Sequence, residues 1–589
     1  MNIALGQINC VTGDLQGNTE KIIYQIRHAR GQHQDLIAFP ETAITGYCCG
    51  ALFDNTNFIK DQLQYLNQII EESFDIIVVI GFVRLIGTKG NGFPKLANSC
   101  AVIQNKQIVH TYDKIYLANN DHHEDRKYFE EGEKISLAEV FLNGESIKIG
   151  TPICEDIWYQ NHEIDIVKTM KQMGADIIIV PNQSYFYYGK ALERYTLLKH
   201  HAATNQIPII YVNNVGVGDI VKNILIYDGN SLMVRPDGSF SMPDKFKAIT
   251  NFVDTNPKFS YFYDLPNSWA NKYQQIYDAL KYEQEELFKV LGIKKAQVHI
   301  SGGIDSAITA FIVQQAMGKE NTILITNPSS RNEEKIFNLV KKLSKALDNP
   351  YYEQPIQNAV NNVENSIRHS INPNDEEPLV LSPLLRSTIQ ATIRSCYGLS
   401  STHYFKTAIV STGNHTEIVL GWANFHDIGS IGVHAIIGDL SKTELFEFAK
   451  YINENIKCTK PIPEELYNGE VLPAAELVDT TVDPYDYFIV SGICCEMIRK
   501  KKDPFTLIED YKNSNLTIDY FPLNWEGKSI YENCTLEEFE KEVWKAFNSA
   551  KISVFKAGQA APTAIISPRS RGFSNREANI NKWIPLQKH

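Results

Sequence analysis

The sequence has no apolar run long enough to cross a bilayer, which takes roughly 20 residues. Its longest run, residues 76–83, is interrupted by Gly81. It has no excess of positive charge either: 57 Lys and Arg stand against 69 Asp and Glu, a net charge of −12. Bulk attraction to nucleic acid or to an anionic membrane is therefore not expected, and an anionic ligand must be met by local charges. The ten cysteines form no CxxC and no Cys/His ligand spacing, so no zinc module is expected. No GxxxxGK(S/T) phosphate loop occurs, and there is no clear repeat or low-complexity segment. The first residues, MNIALGQINCVTGDL, lack the basic start and apolar stretch of a signal peptide. A soluble cytoplasmic protein with reduced thiols is the expectation.

What is present is a chain of 589 residues, 43% hydrophobic and 21% charged, which is globular composition and too long for one core. Residues 1–258 alternate short apolar runs with amphipathic stretches. Strands are predicted at 3–7, 36–39, 76–83, 149–154, 177–180 and 209–213, and covering helices at 18–32 and 58–73. A polar, aromatic stretch, DTNPKFSYFYDLPNSWANK at 254–272, reads as a connector, with 259–275 as its working span. From 276 to 589 a second alternation begins. A helix at 274–291 precedes a strand at 297–300, a glycine-rich loop and a helix at 305–317. A strand at 322–326, a helix at 332–346 and a strand at 407–411 follow. This pattern predicts an open parallel sheet with ligands at its carboxyl edge. The last 120 residues or so read as helical, then irregular.

Three places in the first half carry plausible chemistry: Glu41 in FPETAITGY, Lys114 in YDKIYL and Cys154 in PICEDIW. Amide hydrolysis through a thioester needs a thiol, a carboxylate to take its proton and a cation for the oxyanion. Each residue alone is weak, since a lone cysteine is more often a core residue and a lone Lys or Glu a surface one. Together and in this order they resemble the nitrilase superfamily (carbon–nitrogen hydrolases) over residues 1 to about 255. EDR at 124–126, Asn182, Gly189, Arg194 and YDGNS at 227–231 add to the likeness. The resemblance implies a four-layer αββα sandwich with Glu41 as general base, Lys114 as oxyanion stabiliser and Cys154 as nucleophile. It further implies Glu124 as an auxiliary carboxylate orienting Lys114, and Ser184 and Lys190 as glutamine contacts. The chain departs from the family at LANN (117–120), where relatives often have a tyrosine, and at CCGA (48–51).

In the second half, VHISGGIDS at 298–306 places a glycine-rich loop between a strand and a helix. Glycines let backbone N–H groups approach phosphate oxygens, and the helix N-terminus favours negative charge. Ser301 and Ser306 can donate hydroxyl hydrogen bonds, and Asp305 can hold a divalent cation. The string resembles the SGGxDS loop of ATP pyrophosphatases, with Ser301, Gly302, Gly303, Ile304, Asp305 and Ser306 gripping ATP. STGNHTE (411–417), GW (421–422) and GDLSKT (438–443) resemble NAD synthetases in order and spacing, as do PAAEL (473–477), DPYDY (483–487) and SPRSRGF (567–573). By that resemblance Thr412 contacts ATP, Glu417 binds Mg2+, the cation that Asp305 can also hold, or the deamido-NAD acceptor, and Lys442 meets phosphate or the activated carboxylate of deamido-NAD. RSTIQATIR at 386–394 keeps Gln390, Ala391 and Arg394 of the usual acceptor helix but not its other positions, and the loop 424–432 lacks the usual Gly-Asp.

The resemblance spans nearly the whole chain and implies an α/β architecture: the αββα sandwich followed by a doubly wound, parallel-sheet ATP-pyrophosphatase domain. It implies a glutamine-dependent NAD synthetase fusion that uses glutamine, ATP and deamido-NAD, and a homo-oligomeric state; the fusion itself motivates the expectation of a buried ammonia route between the sites. The altered residues 387–392 leave open a different carboxylate acceptor. A catalytically degenerate homologue is the remaining alternative, and the intact triad and phosphate loop speak against it.

Overall fold

The computed structural model describes residues 1–119, 122–219, 222–255, 264–330, 334–370, 380–422, 426–457, 459–473 and 485–568. Parts of several sequence motifs lie outside these residues: Asn120, part of the connector (256–263), the helix start at 332–333, 424–425, 474–484 and 569–573. The chain forms two compact units. One comprises residues 1–220 and 225–275, the other 221–224 and 276–589.

The first unit is built on two six-stranded sheets. Its strands are β1 (Asn2–Gln7), β2 (Leu36–Ala38), β3 (Ile77–Thr88), β4 (Pro94–Gln104), β5 (Gln107–Asp113), β6 (Ala138–Leu142) and β7 (Glu145–Gly150). They continue with β8 (Ile177–Pro181), β9 (Ile209–Val212), β10 (Val215–Gly218), β11 (Asn223–Asp228), β12 (Leu232–Val234), β13 (Phe240–Ser241) and β14 (Ile249–Asp254). The sheets run β14-β1-β2-β3-β4-β5 and β13-β12-β9-β8-β7-β6. The period-2 geometry of a strand sorts its apolar residues onto two faces. Ile3, Leu5 and Val79 enter one core with Ile149, Ile179 and Ile210 of the other sheet. Ala4, Ile37 and Val78 face outward onto α1 (Leu15–Gly31) and α2 (Thr56–Glu71), meeting Ile22, Ile26, Leu66 and Ile69. Both faces of the inner strands are thus buried, at roughly 1.5–3 kcal/mol per large aliphatic side chain. On the other outer face lie α4 (Ile166–Gln172) and α5 (Lys190–Asn205), with the one-turn α3 (Asp125–Tyr128) near the site. This is the four-layer sandwich.

The strand expected at 149–154 is corrected. β7 ends at Gly150, where a Cβ would stand 2.6 Å from Ile178 and 2.8 Å from Met170. The chain then turns, and Cys154 opens a single 3-10 turn, Cys154–Ile157, with φ +46°. A non-glycine residue in that region costs free energy, on the order of 1–3 kcal/mol, and such positions gather at functional sites. The connector stretch is likewise more ordered than expected at its ends: β14 runs through Asp254 and a short helix, α6 (Asn267–Ala270), precedes α7 (Lys272–Val290).

The second unit carries a four-stranded, all-parallel sheet: β15 (Ala296–His299), β16 (Thr322–Thr326), β17 (Tyr351–Glu353) and β18 (Ala408–Ile409), in the order β17-β16-β15-β18. The crossovers are α8 (Ile304–Met317), α9 (Glu334–Leu347), and then α10 (Gln357–Arg368) with α11 (Pro383–Phe405). α8 is apolar all round, with Ile304, Ala307, Ile308, Phe311 and Ile312 buried. The chain leaves β15 toward β16 and later returns on its other side as β18. That reversal is a topological switch point, and it opens a crevice at the carboxyl ends of β15 and β18. Beyond it come α12 (His415–Leu420), α13 (Lys442–Tyr451) and α14 (Tyr487–Arg499). Among the described residues no helix is long and apolar enough to cross a membrane.

Candidate active sites

In the first unit, Lys114 follows β5 and is wholly buried between two carboxylates. Its Nζ lies 2.7 Å from Glu41 Oε1 and 2.6 Å from Asp125 Oδ2. Burial works against the ammonium, but Asp125 and Glu41 outweigh it and hold the Lys114 pKa well above the usual lysine value. Glu41 follows β2 and accepts from Asn98 Nδ2 (2.7 Å) and from the Gln183 backbone N–H (3.0 Å). Burial raises its pKa, with the Lys114 charge pulling the other way. Gly81 makes room for this turn, since a Cβ there would meet Glu41 Cα at 2.5 Å.

Cys154 is buried, and both Glu41 and Lys114 act on it electrostatically. Burial pushes its thiol pKa well up, Glu41 adds to the rise and Lys114 opposes it. The resting thiol is therefore protonated and needs a base. Asp156 holds the cysteine and lysine segments together. Its carboxylate accepts from Ile153 N (2.9 Å), Ile115 N (3.1 Å), Tyr116 N (2.8 Å) and Tyr112 Oη (3.0 Å). Burial pushes its pKa up to about 6 against those donors.

One assignment is corrected here. The carboxylate on Lys114 belongs to Asp125, not Glu124, whose Oε2 lies 3.5 Å from Lys127 Nζ. α3 starts at Asp125 and turns that side chain inward. Tyr47 Oη (2.5 Å) and the Ala118 N–H (3.2 Å) also donate to it. Ser184 is cradled by Arg194, which donates to its carbonyl (2.8 Å) and hydroxyl (3.1 Å) and pairs with Asp228 at 2.8 Å. Lys190 Nζ sits 4.1 Å over the Trp158 ring and 3.1 Å from Tyr187 Oη, with its pKa lowered by burial. Asn98, Gln183 and Asp156 were missed by sequence reasoning. The only signal was polar residues inside or beside apolar strand text.

In the second unit the loop at residues 301–306 closes on itself. Ser301 N–H reaches Ser306 Oγ at 3.2 Å, Gly303 N–H reaches Ser301 Oγ at 3.3 Å, and Ser306 Oγ donates to the Gly303 carbonyl at 3.0 Å. Gly302 has φ +89°, and a Cβ there would lie 2.6 Å from Ile336. Asp305 accepts from Asn414 Nδ2 (2.8 Å) and from Lys442 Nζ, which also meets Glu417 at 3.1 Å. Lys442 is placed by the capping box of α13, in which Ser441 and Glu444 bond reciprocally.

The loop, Thr412, Glu417, Lys442 and Arg394 all line one cavity. Gln390, one turn before Arg394 on α11, is buried and does not line it. Asp305 and Glu417 supply hard oxygen donors around a cavity ready for phosphates, a donor set that fits Mg2+. Among the described residues no cluster of three or more His, Cys, Asp or Glu forms a metal cage.

Residues 2–249 match the carbon–nitrogen hydrolase family and residues 274–515 the NAD synthase family. The glutamine-dependent NAD(+) synthetase of Synechocystis sp. is 27% identical over 604 residues, covering 97% of each chain. That of Thermotoga maritima is 25% identical, covering 85% of this chain and 91% of its own. The structure of glutamine-dependent NAD+ synthetase from Acinetobacter baumannii in complex with ADP superposes with a TM-score of 0.70 at 25% identity, covering 99% of both chains. The Cytophaga hutchinsonii synthetase (TM-score 0.76, 19% identity, covering 97% of this chain and 96% of its own) shares the fold.

Proposed function

Starting from a chain that joins a carbon–nitrogen hydrolase domain to an NAD synthase domain and belongs with the glutamine-dependent NAD(+) synthetases, we infer that it converts deamido-NAD to NAD with ammonia drawn from glutamine, consuming ATP. The observation that carries the reading is the coexistence of two complete constellations, Glu41–Lys114–Cys154 and the 301–306 loop with Asp305, Glu417 and Lys442.

At the first, the Cys154 sulfur attacks the glutamine side-chain carbonyl as Glu41 takes the thiol proton. Lys114 meets the negative charge developing on the carbonyl oxygen. Glu41 returns the proton to the departing nitrogen, ammonia leaves, and a thioester remains. Glu41 then takes a proton from water, which attacks the thioester and releases glutamate and the thiol. Asp125 holds Lys114 in place throughout.

At the second, the deamido-NAD carboxylate attacks the α-phosphate of ATP, and pyrophosphate leaves. The 301–306 loop and the α8 N-terminus hold the phosphates, and Lys442 offsets charge at the reacting carboxylate. Mg2+, held by Asp305 and Glu417, would neutralise the leaving pyrophosphate. Ammonia attacks the acyl carbon of the mixed anhydride, AMP departs, and the nicotinamide amide is formed. We further expect a cytoplasmic homo-oligomer.

Turnover of purified protein with ATP, Mg2+, glutamine and deamido-NAD tests the reading. Equal yields of NAD, AMP, pyrophosphate and glutamate are expected. ADP and phosphate in place of AMP and pyrophosphate, or no NAD, would sink it.

A further inference from the structure

α5 presents three polar side chains to the interior: Lys190, Arg194 and His201. Spacings of four and eleven residues put them on one face at 3.6 residues per turn. Arg194 is engaged by Ser184 and Asp228. The other two reach the turn that carries Cys154. Lys190 stands over the Trp158 ring at 4.1 Å. His201 is wholly buried, and its Nε2 lies 2.7 Å from the Ile157 carbonyl oxygen. Ile157 is the last residue of the 3-10 turn that Cys154 opens, and Trp158 is the next. One helix therefore grips the exit of the nucleophile turn at two successive residues.

The proton on His201 follows from its partner. A carbonyl only accepts, so Nε2 carries the hydrogen. Burial holds the pKa of the ring below the ordinary histidine value, against the Ile157 bond and the Asp165 carboxylate, so the neutral ring leaves Nδ1 bare. Nδ1 stands 3.9 Å from Asp165 Oδ1, beyond hydrogen-bond reach, and the Asp165 carboxylate accepts instead from Lys168 N at 3.0 Å, as the N-cap of α4. The imidazole is a donor on one side only, aimed at a single carbonyl.

That carbonyl matters because of the strain upstream of it. Cys154 has φ +46°, a conformation that persists only where its surroundings over-determine it. The entry of the turn is fixed by the Asp156 carboxylate, which accepts from Ile153 N at 2.9 Å. Trp158 N–H closes the turn on the Glu155 carbonyl at 3.0 Å. At the exit, Ile157 is buried and His201 supplies the donor to its carbonyl. Removing that donor leaves a buried carbonyl unsatisfied, and the turn relieves it by relaxing toward an unstrained Cys154.

We propose that His201 is a positioning residue for glutamine hydrolysis: its Nε2–H pins the Ile157 carbonyl and so holds the Cys154 sulfur in register with Glu41 and Lys114. The proposal rests on the reading of Cys154 as the nucleophile and goes one step further, to what keeps it in place.

Three variants separate the hydrogen bond from packing. His201→Leu fills the site without a donor. His201→Gln can place an amide N–H where Nε2 was, whereas the shorter amide of His201→Asn cannot reach the carbonyl. For each, kcat and KM are measured for glutamate release, together with the rate at which iodoacetamide alkylates Cys154, read on its own peptide by mass spectrometry. Ammonium-driven NAD formation serves as the control in the other unit. His201→Leu and His201→Asn should lower glutaminase kcat roughly tenfold or more, with KM within about twofold, and should slow Cys154 alkylation in parallel. His201→Gln should restore most of both, and ammonium-driven synthesis should stay within about twofold in all three.

Unchanged kcat and alkylation in His201→Leu overturn the proposal. So do equal losses in His201→Gln and His201→Asn, which would mark a histidine that only fills space. If His201→Leu does not fold, the comparison of the two amides decides. A wild type whose Cys154 is alkylated but which releases no glutamate contradicts the proposed function, and the alkylation rates of the variants then still decide the role of His201.

Discussion

At Lys114 two buried carboxylates face one ammonium, and the geometry assigns them separate duties. Glu41 is also held by Asn98 and Gln183, while Asp125 is tied to Tyr47. Asp125→Asn should therefore lower glutamine hydrolysis roughly a hundredfold or more and leave ammonium-driven synthesis intact. Glu124→Gln should change either rate by less than about twofold. Equal effects of the two substitutions would refute the assignment. Linear text cannot make that choice, because the decision lies in where a one-turn helix begins. The burial that raises Glu41 also sets a pH dependence. Its base form is lost as pH falls through the raised value, so the acid limb of glutaminase kcat/KM should lie above 4.5. An acid limb at or below that value contradicts a buried Glu41 base. His299 gives a second pH signature. Its folded pKa of about 4 lies below the ordinary 6.5, so the unfolded chain binds the proton first. Stability is then full above pH 6.5 and declines as pH falls toward 4, by at most about 3 kcal/mol. Urea unfolding of His299→Leu should show a shallower loss over that window, and an unchanged slope would contradict it.

At the scale of elements, the strongly apolar runs were legible. β1, β2, β8, β9, β15 and β16 lie within a residue or so of their expected places, because strands buried on both faces announce themselves by composition. β5, β6 and β14 were not legible. Their sequences, QIVHTYD, AEVFL and ITNFVD, mix exposed and buried positions at sheet edges, where pairing partners rather than composition decide. The two glycine-dependent turns were only half legible: the loop at 301–306 was placed, but the stop at Gly150 goes with close contacts to Ile178 on the neighbouring strand and Met170 on α4. At Gly302 both the positive φ and the 2.6 Å approach to Ile336 forbid a side chain. Gly302→Ala should abolish pyrophosphate release yet leave glutamine hydrolysis within about twofold, since it lies in the other unit. Loss of both activities would show that the loop supports more than the phosphate site. On α11 the altered residues are accounted for in part: the hydroxyls of Ser387, Thr388 and Thr392 donate back to helix carbonyls. A panel of carboxylate acceptors should accordingly single out deamido-NAD, and faster turnover of another acid would reassign the acceptor.

For the whole molecule, the fusion matters because ammonia near neutral pH is mostly ammonium, which cannot attack a mixed anhydride. Generating neutral ammonia on the same chain raises its local concentration at the moment of need. NAD formed from glutamine should then largely survive an added ammonia scavenger, whereas NAD formed from ammonium should not. Equal losses would mean that ammonia passes through bulk solvent. The most direct test of the account is Cys154→Ala assayed for NAD with glutamine and, separately, with ammonium. The account predicts no NAD from glutamine and near wild-type NAD from ammonium, with pyrophosphate released in step. NAD from glutamine in that variant, or none from either donor in a folded protein, would contradict the division of labour on which everything else rests.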